Sequence, residues 1–269
     1  MTTLDEILTA KRAWVADCAA RTPLAEYRAR CRDSPPCRPF AEALRRPAGA
    51  AIRFIAEFKR HSPSRGDIRP GARPAQVARI YHAGGAAAVS VLTDAPFFKG
   101  DLAHLEEVRE AVPLPVLRKD FLLDPYQVYE ARAYGADAVL LIAEALERDE
   151  LKELHGLTAE LGMEALVEIH GEAALDKVAA CPVVGINHRD LKTMRVEMDT
   201  SAELLSGGLR ERLPSGAVVV GESGVSNREQ VERMAALGLD ALLVGSALME
   251  APDIATKLGE LFPESSRGR

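Results

Sequence analysis

Between residues 52 and 245 the chain alternates between two hydrophobic patterns. Short runs rich in Val, Ile, Leu and Ala fall at 52–59, 86–93, 115–119, 137–142, 164–169, 182–187, 217–222 and 241–245. Continuous apolar runs of this length fit parallel strands buried on both faces. The stretches between them carry apolar residues at helical spacing and have recognisable ends. Asp124-Pro125 supplies a cap residue and a first-turn proline, and Gly135 a stop. Ser226-Asn227-Arg228-Glu229 reads as a capping box, with Gly238 closing that helix. Eight strands, each followed by a helix, imply an α/β protein with a parallel sheet. Eight such units build either a closed (β/α)8 TIM barrel, which takes about 250 residues, or an open doubly wound sheet. No G-x-G-x-x-G follows the first strand, which weighs against the dinucleotide-binding form of the open sheet.

Residues 1–50 carry no strand signal. A helix is expected from Thr3 to about Arg21 and another after Pro23, with a turn-rich break at Arg32-Asp33-Ser34-Pro35-Pro36. The expected organisation is one domain: an amino-terminal helical extension over 1–50, a barrel over 51–262 and a disordered tail over 263–269. Hydrophobic residues make up 47% of the 269, enough for one sizeable core. A formal net charge of -6 argues against a nucleic-acid or anionic-membrane binder, though not against a small basic site for a phosphate. No apolar run approaches the roughly 18 residues of a membrane helix, and the amino terminus lacks the pattern of a secretory signal. Cys18, Cys31, Cys37 and Cys181 form neither a C-x-x-C pair nor a metal-ligand spacing, so reduced thiols in a cytoplasmic protein are expected.

The strand ends carry the chemistry. The first ends Glu57-Phe58-Lys59, with Glu57 and Lys59 on one face by the two-residue period. In the third, Lys119 shares a face with Leu117 and Phe121, while Arg118 and Asp120 face the other way. The fifth presents Glu168 on the face of Leu166, the sixth ends at Asn187 and the seventh at Glu222. Any one of these residues is explained as a helix cap or a solvated charge. Five strands with the same habit are not, because ionised groups converging on one mouth are costly unless they serve each other or a ligand. Two lysines beside three glutamates shift one another's pKa, so that one group donates a proton and another accepts it. Ser223-Gly224 and Gly245-Ser246 are turns directly after the last two strands, the usual phosphate position in such barrels. Turn chemistry alone would explain either pair; both together point to a phosphorylated ligand. His82, His104 and His155 are expected on helix surfaces. His170 and His188 lie nearer the mouth without metal-ligand spacing, and no metal is expected.

The segments IAEFKRHSPSRG, VSVLTDAPFFKGDLAHL, LPVLRKDFLLDPYQVYEARAYGADAVLLIA, EALVEIH, VGINHRDL, VVVGESGV and ALLVGSALM follow one another in this order. Together they resemble the indole-3-glycerol phosphate synthase family of tryptophan biosynthesis, from the first helix to about Phe262. The resemblance implies a (β/α)8 barrel with an amino-terminal segment over the mouth. It also implies conversion of 1-(2-carboxyphenylamino)-1-deoxyribulose 5-phosphate into indole-3-glycerol phosphate, carbon dioxide and water, without a cofactor. Lys119 then resembles the general acid of ring closure and Glu168 the acid or base of dehydration. Lys59 resembles the partner of the substrate carboxylate and a second proton donor; which lysine serves which step stays open. Glu57, Asn187 and Glu222 resemble the supporting polar shell, Ser62, Arg189 and Ser223 substrate contacts, and Leu92, Phe98, Phe121 and Leu140 the wall for the aromatic ring. For Leu140 an ordinary core position is an equal reading. The phosphate is expected on Ser223, Gly224, Gly245 and Ser246. Association with other enzymes of the pathway is compatible with the family but not required, and the length leaves no room for a fused second enzyme. Two departures stand out: His188 replaces an expected asparagine, and the short connection from Glu168 to Asn187 predicts a trimmed fifth helix. The alternatives are a related isomerase barrel, which wants a Cys/Asp pair although Cys181 precedes its strand, and a non-catalytic sugar-phosphate binder, which would not need two matched lysines.

Overall fold

The computed structural model describes residues 4–190 and 193–263. Thr3, the expected first helical residue, Leu191 of the VGINHRDL segment and residues 264–269 of the expected tail lie outside the described residues. Eight parallel strands close on themselves: β1 (Arg53–Phe58), β2 (Ala88–Leu92), β3 (Val116–Lys119), β4 (Ala138–Ile142), β5 (Glu164–Ile169), β6 (Val183–Asn187), β7 (Val218–Glu222) and β8 (Ala241–Val244). Each pairs with its neighbours in sequence. β1 also pairs with β8, through Arg53 with Ala241 and Ile55 with Leu243, so the sheet is a barrel and not an open doubly wound sheet. Several strands start a residue later than their apolar runs. Pro115 and Pro182 explain two cases: each gives its carbonyl to a neighbouring strand, to the N–H of Val89 and of Val218 at 2.9 Å, but has no N–H of its own to extend a ladder.

The two-residue strand period divides the apolar residues between two cores. Ile55, Leu117, Leu140, Leu166, Val220 and Leu243 fill the barrel interior, while Phe54, Val89, Val139, Val167, Val184 and Leu242 face the surrounding helices. Each connection after β1 to β4 contains an α-helix, but the fifth connection is trimmed as expected, to a single 3-10 stretch at Glu172–Lys177. Lys177 Nζ ties that stretch down by donating to the carbonyls of Ala143 (2.8 Å) and Leu146 (2.7 Å). After β7, the capping box lies one residue later than the sequence reading. Asn227 accepts from the Gln230 N–H at 2.9 Å and the Gln230 side chain reaches back to the Asn227 N–H, because Ser226 instead gives its own N–H to Gln230 Oε1 at 2.8 Å. His104 also corrects an expectation. It is buried against the Phe58 ring, with Nε2 3.0 Å from Arg60 Nη2, whereas His82 is exposed and His155 half-buried.

The extension, expected as a whole over the mouth, divides between the two ends of the barrel. Helix α1 (Leu4–Arg21) lies at the carboxyl ends of the strands, where Leu4 and Ile7 join the interior cluster. Its Lys11 ammonium is buried between Asp94, 2.5 Å away just past β2, and Asp120, 2.7 Å away just past β3. Asp120 in turn meets Arg118 (3.1 Å), Arg118 meets Glu130 (2.8 Å), and Glu130 accepts from Tyr27 of α2 (Leu24–Asp33) at 3.2 Å. One buried chain of charges thus anchors both helices. Helix α3 (Phe40–Leu44) sits at the opposite end, as its partners show. The Ala41 N–H donates to Glu164 at the start of β5 (2.8 Å), and Arg38 donates to the Val112 (2.8 Å) and Leu114 (2.6 Å) carbonyls ahead of β3. Phe40 and Leu44 are fully buried beneath the first residues of β2, β6, β7 and β8. Apolar side chains therefore close the amino-terminal end, leaving the carboxyl end as the open one. Phe40→Ala should lower unfolding free energy by about 3–5 kcal/mol through the cavity it leaves, read as a reduced midpoint in urea with an unchanged slope.

Candidate active site

A cavity of about 360 Å³ opens at the carboxyl ends of the strands. Leu92, Phe98, Phe121 and Leu140 line one part of it together with Leu4 and Ile7 of α1, and the Phe98 and Phe121 rings lie 6.4 Å apart. Asp94 accepts from the N–H groups of Phe97 (2.7 Å) and Phe98 (3.2 Å), which sets the short turn carrying Phe98. Lys59, Ser62, Arg189, Ser223, Gly224, Gly245 and Ser246 line another part. Of the catalytic, substrate-binding and phosphate-binding residues expected from the sequence, Glu222 alone does not reach the cavity surface; it lies behind Lys119.

The centre of the cavity is a charge cluster. Lys119 Nζ, at the end of β3, lies 3.0 Å from Glu168 Oε2 and 3.0 Å from Glu222 Oε2, and both carboxyls are 1% exposed. Glu168 Oε1 accepts from Asn187 Nδ2 at 3.0 Å, so two polar groups, Lys119 and Asn187, hold one carboxylate. Beside them, Lys59 Nζ pairs with Glu57 Oε1 at 2.8 Å. Space for two of the carboxyls comes from glycines: a Cβ on Gly185 would collide with Glu222 Oε1, and one on Gly245 with Glu57 Oε1. Gly185 lies in β6 and Gly245 directly follows β8, so each vacancy is one strand away from the carboxyl it admits.

Electrostatics separate the roles of these groups. Burial alone would depress the Lys119 ammonium, but Glu168, Glu222 and Glu57 outweigh it and hold its pKa above the ordinary lysine value. Burial would raise Glu168; Lys119, then His170 and Asn187, reverse this and pull it to about 2. Glu222 goes the other way, up to about 8, because burial and the nearby Glu168 charge prevail over the same lysine. Its Oε1 is buried without a hydrogen-bond partner among the described residues, which suits a carboxyl that keeps its proton. Around neutrality the cluster is thus an ammonium paired with one carboxylate and one neutral carboxyl.

Other parts of the site were not legible beforehand. Arg65 lines the cavity close to Arg189, and the two guanidiniums depress the Arg189 pKa further than burial does alone. Ser62 Oγ accepts from the Arg65 N–H at 3.2 Å, so it shapes this loop as well as facing the cavity. Ser223 and Gly224 both take positive φ, 66° and 85°, a tight turn in which Ser223 is one of few non-glycine residues so placed. His188, in place of the expected asparagine, secures that turn. Its Nδ1–H donates to the Ser223 carbonyl (2.9 Å), and Nε2 accepts from Ser201 Oγ (2.7 Å), with burial keeping the ring neutral. Lys11, Leu4 and Ile7 read as ordinary helix positions, and only the docking of α1 turns them toward the mouth.

A closed parallel barrel with an ammonium–carboxylate cluster at its carboxyl end is a (β/α)8-barrel enzyme. A family model described as indole-3-glycerol phosphate synthase matches residues 4–261. Indole-3-glycerol phosphate synthase of Roseiflexus sp. is 46% identical, covering 97% of this chain and 98% of its own length. That of Neisseria gonorrhoeae is 44% identical, covering 96% and 98%. The chain belongs to the indole-3-glycerol phosphate synthase family. Solved structures share the fold at low identity. The 3-hexulose-6-phosphate synthase of Salmonella typhimurium is 16% identical with a TM-score of 0.57, over 78% of this chain and 96% of that one. A chain of the tryptophan synthase complex of Pyrococcus furiosus is 17% identical with a TM-score of 0.55, over 79% and 98%.

Because Glu222 keeps its proton in the folded protein and loses it in the unfolded chain, stability should fall as pH rises from the ordinary carboxyl range to about 8. Glu222→Gln should flatten that slope in urea unfolding measured from pH to pH; an unchanged slope would show that Glu222 is ionised throughout.

Proposed function

We propose that the cavity carries out its family's reaction: ring closure, decarboxylation and dehydration of 1-(2-carboxyphenylamino)-1-deoxyribulose 5-phosphate to indole-3-glycerol phosphate. The observation that carries this reading is Lys119, held ionised by Glu168 and lying 3.0 Å from both Glu168 and Glu222 where the apolar wall meets the polar end of the cavity. In the proposed pose the substrate's aromatic ring rests on Leu92, Phe98, Phe121 and Leu140. Its phosphate rests at the Ser223–Gly224 and Gly245–Ser246 turns, with Arg189 and Arg65 adding positive charge and Ser62 a further polar contact.

The steps follow from where charge develops. Attack of the carboxylate-bearing ring carbon on the ketone places negative charge on the ketone oxygen, and the Lys119 ammonium gives that oxygen its proton. An alkoxide is basic enough to take a proton from a lysine even when its pKa is raised. Lys59, paired with Glu57, faces the substrate carboxylate until it leaves as carbon dioxide and its bonding electrons restore the ring. Departure of the new hydroxyl as water needs a proton on that oxygen, which the Lys59 ammonium supplies once the carboxylate has left, and loss of one from the neighbouring carbon. Glu168, ionised and fixed by Lys119 and Asn187, is the base for the second of these. Glu222 and Asn187 position Lys119 and Glu168. A cytoplasmic setting belongs to the same proposal and is supported by the four free thiols. Association with other pathway enzymes is not required for turnover.

Mixing the purified protein with the carboxyphenylamino-deoxyribulose phosphate should produce indole fluorescence without any added cofactor or protein, and a silent mixture sinks the proposal. Lys119→Ala should reduce kcat by at least about 100-fold while the circular dichroism spectrum is retained; near-parental kcat would remove Lys119 from the proton transfer. Glu168→Gln should lower kcat far more than it changes KM, since its role lies in proton transfer. The opposite split would make Glu168 a binding residue.

A further inference from the structure

Glu168 has a neighbour that the proposed steps do not use. The parallel register pairs Ile142 of β4 with Glu168 of β5, and the same register carried two residues on brings Glu144 beside His170. Glu144 grips His170 with both oxygens. Oε1 accepts from the His170 backbone N–H at 2.7 Å, and Oε2 lies 3.2 Å from Nδ1. A carboxylate can only accept, so Nδ1 carries a proton and the ring orientation is set. The other nitrogen, Nε2, is buried, has no hydrogen-bond partner among the described residues, and points at Glu168 Oε1 from 3.5 Å. That is the oxygen held by Asn187, while Lys119 holds the other.

We propose that the Glu144–His170 pair is a positioning element for Glu168: Glu144 aims the imidazole, and the imidazole aligns the Oε1 side of the carboxylate and favours its ionised form. The charged or titratable groups around the ring are Glu144 from the loop after β4, Glu168 of β5, Glu222 of β7 and, beyond Glu168, Lys119 of β3. Burial opposes the charged ring, but the Glu144 contact and the Glu168 carboxylate raise the His170 pKa, so the ring stays cationic to higher pH than a free histidine. A cation at this distance lowers the free energy of the Glu168 carboxylate, whereas a neutral side chain of similar size does not. The arrangement is Glu–His–Glu, with the outer carboxylate half-exposed and the inner one buried at 1% exposure. His170 does not line the cavity, so it acts through Glu168 and not on substrate.

The kinetic arm of the test rests on the proposed reaction; a titration arm does not. In His170→Asn the carboxylate loses its cationic neighbour and needs a higher pH to ionise, so the acid limb of the kcat profile should move upward. At pH 7 kcat should fall at least about tenfold with KM within about twofold. Glu144→Gln should move kcat and the acid limb in the same direction by less, because the imidazole itself remains beside Glu168. An unmoved acid limb with kcat within about twofold of the parent in both variants overturns the inference. Independently of turnover, ¹⁵N resonances of His170 should titrate above the free-histidine midpoint of about 6.5 and drop toward it in Glu168→Gln. A midpoint indifferent to Glu168 overturns the coupling by itself. If the parent shows no turnover, the reaction fails and the titration alone decides the pairing.

Discussion

The structure depends on the removal of two ammonium groups and three carboxyls from water at one end of a barrel. Lone ions there would be shed from the site or neutralised, so each must find an opposite charge or keep a proton. Lys119 answers to Glu168 and Glu222, Lys59 to Glu57, and Glu222 retains its proton. The demand extends into the backbone. β6 gives up a side chain at Gly185, and the turn after β8 gives one up at Gly245, so that Glu222 and Glu57 can occupy the space. These glycines are set by neighbouring carboxyls and not by turn conformation. The site is thus as much a packing arrangement as an electrostatic one.

The two ends of the barrel are treated differently for the same reason. At the amino-terminal end there is no chemistry to protect, and α3 fills it with Phe40 and Leu44. At the carboxyl end a fully apolar plug would bury the charges without a substrate, so α1 covers the mouth only in part. Leu4 and Ile7 contribute to the apolar wall, and Lys11 holds the helix through Asp94 and Asp120. Those two aspartates follow directly on the strands that present the wall and Lys119. The position of α1 and the shape of the site are therefore set by one buried ion-pair network.

The two departures from the family pattern fall where the geometry absorbs them. The 3-10 stretch after β5 is short, yet Lys177 binds it to the loop after β4. That same loop carries Glu144, so the trimmed connection leaves the Glu144–His170 contact in place. His188 makes a backbone contact between the ends of β6 and β7, where its neutral ring supports the strained Ser223–Gly224 turn.

Much of this was legible in the residues themselves. Strand periodicity put Lys119 on the face of Leu117 and Phe121 and turned Arg118 away, and the folded chain keeps that division, although Asp120, just past the strand, also reaches the cavity. It follows from backbone geometry alone, because alternation along a strand needs no knowledge of the rest of the fold. The Gly/Ser turns and the convergence of five strand ends were legible on the same basis. What the sequence could not determine is anything set by side chains meeting across elements far apart in the chain. That α1 and α3 go to opposite ends, that Lys11 is buried and not solvated, and that His104 is interior all depend on which partners arrive from elsewhere. The opposite shifts of Glu168 and Glu222 belong to the same class. Both are glutamates at strand ends, and only their distances to Lys119, to each other and to Asn187 make one an anion and the other an acid. Local periodicity determined which face each residue occupies, and tertiary packing decided its charge.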